Sequence, residues 1–166
     1  RGQGVFGGGL PYQLWREPVR RLLLAVDVTD TEGSVLKDII LDIERLEGRH
    51  FPDAVELSGT KYHERLMGAI VSMFQRNKQP MLLLVEDLQW SAESLDVLRL
   101  LNSNVWQLPL MIVGSYSHDE RPTLPDELPQ MESIRLERFN QDEITALSTS
   151  MLGEAGEQPR IIERLQ

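Results

Sequence analysis

The chain has 166 residues, 41% of them hydrophobic, which suits one domain with a substantial core, and it contains no cysteine, so disulfides, thiolate metal sites and cysteine nucleophiles are excluded. A formal charge of −9 argues against nucleic acid as a partner, because backbone binding needs a lysine and arginine excess to displace counterions. No run approaches the ~18 to 20 apolar residues of a membrane span and no charged-then-apolar leader opens the sequence, so the expectation is a soluble, cytoplasmic protein with no membrane partner.

Residues 1–9 are glycine-rich and read as a loop. Gly2-Gln3-Gly4-Val5-Phe6-Gly7 fits the dinucleotide pattern Gly-x-Gly-x-x-Gly, but the strand before it and the helix opening after it, which give that pattern meaning, are missing. Residues 13–26 approximate helical spacing, with Arg16, Arg20 and Arg21 read as a solvated face. Residues 27–33 read as a polar turn, and Val35, Leu36, Ile39, Ile40, Ile43 and Leu46 form one stripe that predicts a single helix over 35–46. A third helix carries Leu66, Ile70, Met73 and Phe74 and ends near 77–80. His63-Glu64 opens like a zinc-protease helix, but Met67 stands where a second histidine is required.

Met81 to Val85 is a short continuous apolar run, the pattern of a parallel strand buried on both faces. Ser91 is placed to cap a helix over 92–101, and residues 108–116 repeat the strand signal. Residues 117–129 are acidic, proline-rich loop, in which His118-Asp119-Glu120 reads as a solvated cluster. Ser133 to Leu136 alternates like a short strand, and Asn140 with Glu143 makes a capping pair for a helix carrying Ile144, Leu147 and Met151. Strands separated by helices predict an α/β fold with a mainly parallel sheet, whose ligands sit beyond the carboxyl ends of the strands.

Glu86 and Asp87 stand at such an end. Adjacent carboxylates on a buried strand are costly unless a cation or hydrogen bonds offset their charge, and Mg²⁺ with a nucleotide would do so. The spacing is equally met by two acids that end a strand in solvent.

The string Met81 to Leu101, MLLLVEDLQWSAESLDVLRLL, resembles the Walker B segment of signal-transduction ATPases of the AAA+ and STAND group. Leu10-Pro11-Tyr12-Gln13-Leu14-Trp15-Arg16-Glu17 resembles the segment after that family's second strand, Leu110 to Tyr116 its sensor-1 strand, and Ile134 to Phe139 its last core strand. The resemblance implies a three-layer P-loop NTPase-like sheet flanked by helices and lacking its first strand, with residues 1–138 as a partial ATPase core and 139–166 as the start of a helical lid. It implies ATP and Mg²⁺ as cofactors, Glu86 in the magnesium position and Asp87 as the catalytic residue. Trp90 is characteristic of the family, but a large aromatic after a turn reads as a packing residue that anchors a neighbouring helix. Ser117 takes the sensor-1 position, where the family carries arginine; Arg121 lies four residues on as a substitute. The implied partners are covalently linked effector domains, such as the protein kinases, cyclases or DNA-binding regulators to which bacterial relatives are fused, with self-association possible.

Two departures shape the expectation. No Gly-Lys dipeptide occurs, so the phosphate-binding loop is missing, and with the start at Arg1 this suggests a segment of a longer chain, inactive alone. Serine at 117 provides no positive charge for a γ-phosphate. The alternative is a non-hydrolysing interaction domain derived from the same fold. A phospho-acceptor receiver needs a late lysine, and none follows Lys78.

Overall fold

The structure is a computed structural model that describes residues 1–7, 11–54 and 59–165. Its residues form two compact units, Arg1–Met131 and Glu132–Gln166. The first contains β1 (Gly2–Gln3), α1 (Gln13–Leu22), α2 (Asp30–Leu36), α3 (Ile43–Glu47), α4 (Thr60–Arg76), β2 (Met81–Glu86), α5 (Leu95–Ser103), β3 (Leu110–Gly114) and α6 (Leu124–Glu127). The second contains α7 (Gln141–Leu152) and α8 (Pro159–Leu165). Among the described residues no helix is long and apolar enough to cross a membrane.

The sheet runs β1-β2-β3, every pair parallel, with Gly2 opposite Val85 and Leu82 opposite Met111. The α/β expectation therefore holds at the level of a small parallel sheet with helical crossovers. The glycine-rich opening is not all loop, since Gly2–Gln3 is a strand. Its position follows from a proline. Pro18 inside α1 has no amide hydrogen to give the Leu14 carbonyl, and Gly2 packs so close to that oxygen that a Cβ would stand 2.1 Å away.

α1 buries Leu14, Trp15, Val19 and Leu22. Trp15 meets the Phe74 ring edge-on at 6.0 Å and donates its indole N–H to the Ser94 carbonyl at 2.9 Å. The predicted single helix over 35–46 is instead α2 and α3. A capping box formed by Thr29 and Glu32 starts α2 at Asp30, within the stretch read as a turn. Glu32 also binds Arg76 of α4. A Cβ at Gly33 would lie 2.2 Å from the Phe51 ring, so this helix face is shaped to fit Phe51. Past α2, Lys37 turns its ammonium onto the Phe51 carbonyl and Glu44, while Ile39 and Ile40 are buried from a non-helical turn.

β2 is buried on one face only. Leu83 and Val85 lie in the core, whereas Leu82 is 56% and Leu84 37% exposed, and their partners Met111 and Val113 are exposed beside them. The pattern of a two-sided buried strand therefore overstates the covering of this sheet. Two single 3₁₀ turns, Leu88–Trp90 and Ala92–Ser94, delay α5 to Leu95, and Ser91 makes no capping bond. In the second unit, Asn140 and Glu143 form the predicted capping box. Residues 133–136 are not a strand, because that unit's described residues offer no strand to pair with, and Ile134 and Leu136 are exposed.

Candidate functional site at the carboxyl end of the sheet

β2 ends at Glu86, and Asp87 turns the chain with left-handed backbone angles, φ 56° and ψ 43°. Aspartate is one of the few residues that adopt this region at modest cost. The turn starts the 3₁₀ segment Leu88–Trp90, with Glu86 the last residue of the strand and Asp87 the first beyond it. Backbone contacts clamp it. The Gly4 amide donates to the Glu86 carbonyl at 2.8 Å, and a Cβ on Gly4 would stand 2.2 Å from the Asp87 carbonyl oxygen.

Each acid has a partner supplied by β1 and the residue before it. The Arg1 guanidinium pairs with the Glu86 carboxylate, and the Gln3 side-chain amide donates to Asp87 Oδ2 at 2.9 Å. Arg1 has no signature of its own in the sequence, and Gln3 and Gly4 belong to the Gly-x-Gly-x-x-Gly run that gave no link to the acids. They reach the acids only because β1 pairs in parallel with β2, placing Gln3 opposite Glu86.

Ser117 follows β3 on the same side of the sheet. The Ser115 amide donates to the Val85 carbonyl at 2.9 Å, the Leu88 amide to Ser115, and the Ser117 amide to the Gln89 side chain at 3.0 Å. Glu86 and Asp87 thus lie at the carboxyl end of β2 and Ser117 three residues beyond that of the adjacent β3, tied to Gln89, on the end of the sheet where such folds place ligands. Arg121 does not join them, because Glu127 holds its guanidinium through bonds of 3.0 and 2.9 Å. Trp90 packs its ring against Phe6 at 5.4 Å and donates its indole N–H to Glu120 at 2.6 Å, so it joins two loops.

The carboxylate half of a magnesium site fits here: Mg²⁺ takes one or two carboxylates and fills its shell with water and phosphate oxygens. Among the described residues no group of three aspartate, glutamate, histidine or cysteine side chains could hold a metal by itself, so a bound ion would depend on such outside ligands. The Arg1 cation already neutralises Glu86. The phosphate half has no counterpart, since no Gly-Lys pair exists in the 166 residues. Compared with known proteins, the chain matches no family model, no curated protein and no solved structure.

Proposed function

We propose that this chain is the Walker B and sensor portion of an ATP-binding regulatory module, in which Mg-ATP binding and slow hydrolysis switch a linked effector domain. The observation that carries the reading is the placement of Glu86, Asp87 and Ser117 at or just beyond the carboxyl ends of two adjacent parallel strands. In this reading Glu86, now paired with Arg1, would be the residue that holds magnesium, and Asp87, held by Gln3, would orient the attacking water. When bound, magnesium would supply positive charge against the phosphate oxygens. The phosphate cradle would come from outside residues 1–166, so the chain alone should not turn over ATP.

A second reading, a non-hydrolysing interaction module, draws on Ser117 and on Arg121, whose only charge is committed to Glu127. The two are separated by measuring Mg-ATP binding and turnover in the full-length gene product, with Glu86→Gln and Asp87→Asn beside the wild type. The ATPase reading expects turnover that falls ~10²-fold or more in each variant. Absence of nucleotide binding in the full-length wild type supports the interaction module.

A further inference from the structure

We propose that the cleft between α1 and residues 4–6 is a binding site for a small organic phosphate bearing an aromatic ring, next to the strand-end carboxylates, whose partners Arg1 and Gln3 also line it. The cleft has a volume of about 800 Å³, within the ~300–1,000 Å³ typical of small-molecule pockets. The outer face of α1 forms one wall, with Arg16, Arg20, Arg21 and Glu17 pointing at it while Leu14, Trp15, Val19 and Leu22 hold the opposite face in the core. Phe6 and Trp90 form part of the other wall.

The arginines are not equivalent. Arg20 is committed to Asp42. Arg1, which also lines the cleft, is committed to Glu86. Arg16 and Arg21 have no ion pair or side-chain hydrogen bond among the described residues, so two uncommitted guanidiniums border a cleft whose acidic member among the described lining residues is Glu17. Guanidinium forks match phosphate oxygens in planar, two-point contacts, and a dianion makes use of both.

The aromatic requirement comes from Phe6. Phe6 is 77% exposed and meets Trp90 edge-on, at 72° between planes, in the cleft that Arg16 and Arg21 also line. A large apolar ring held in water at a cleft wall gains by stacking a second ring. A small ligand is favoured over an acidic polypeptide because a chain that carries −9 overall repels an extended polyanion.

The test titrates phenyl phosphate and inorganic phosphate into the 166-residue chain, following calorimetry and the NMR signals of Arg16, Arg21 and Trp90 side-chain N–H groups. Phenyl phosphate is expected to bind ~10-fold more tightly than inorganic phosphate and to shift all three signals. Phe6→Ala should erase that preference while leaving inorganic phosphate affinity unchanged. The double substitution Arg16→Gln with Arg21→Gln should weaken both ligands ~10-fold or more. Lys61→Gln, an exposed change on α4 outside the cleft, should change neither, which controls for a general loss of positive charge. Silence of the wild-type signals at about 10 mM phenyl phosphate overturns the proposal, and that result needs no variant to fold. So does capture of a glutamate-rich peptide in preference to phenyl phosphate.

Discussion

Asp87 combines a backbone role with a chemical one, and the two can be separated. Its left-handed φ of 56° suits aspartate and asparagine, and its carboxylate accepts from Gln3. Asp87→Asn should therefore keep the thermal midpoint within a few degrees while removing the charge. Asp87→Val places a branched Cβ in the same strained region and should cost ~1–3 kcal/mol in denaturant unfolding. Equal losses in both variants would show that the charge, not the backbone, holds the turn. Gly4 is the complementary case, since alanine there puts a methyl 2.2 Å from the Asp87 carbonyl and 2.5 Å from Ser91 Oγ. Gly4→Ala should destabilise by ~1–3 kcal/mol and disturb the NMR signal of the Asp87 turn before that of distant α4.

At the level of elements, short helices here depend on polar fastenings as much as on buried stripes. Glu44 at the start of α3 accepts from Lys37 and from the Phe51 amide at 3.0 Å, and these bonds, led by Lys37, lower its carboxyl to about 2 from an ordinary 4.5. A lowered folded-state value means that the stabilisation is present above pH ~4.5 and disappears as pH falls toward ~2. Thermal scans across that window should show a fall in midpoint that Glu44→Gln makes shallower; an unchanged slope would contradict the fastening. The capping box of α7 should be similarly measurable, with Asn140→Ala costing ~1 kcal/mol of the second unit's stability.

These fastenings also explain which elements were legible in the sequence. α4, α7 and the apolar runs of β2 and β3 are written locally, in spacing and caps, and the structure follows them. The break between α2 and α3 is not local, because it depends on Phe51 reaching Gly33 and Lys37 from a loop beyond α3. The delayed start of α5 likewise follows from the 3₁₀ turns that Asp87 sets in motion. At the site, the strand-end acids were visible as a break from apolar to acidic residues. Arg1 and Gln3 were not, because their partners lie 85 and 84 residues away and only the parallel pairing of β1 with β2 brings them together.

For the whole chain, the bare side of the sheet has a practical consequence. Leu82, Leu84, Met111 and Val113 lie side by side and exposed, and β3 has one neighbour among the described strands. An apolar, uncharged edge strand of this kind promotes aggregation. Leu82→Lys with Met111→Lys should raise the concentration at which the protein precipitates while leaving its unfolding midpoint nearly unchanged, as light scattering and circular dichroism would show. A large fall in midpoint would mean that these side chains are buried in solution.

The central claim concerns the acids at the end of β2, and single-turnover ATP hydrolysis by the full-length gene product tests it most directly. The account predicts magnesium-dependent turnover that drops ~10²-fold in Asp87→Asn with the fold intact. Turnover unchanged in both Asp87→Asn and Glu86→Gln would contradict it.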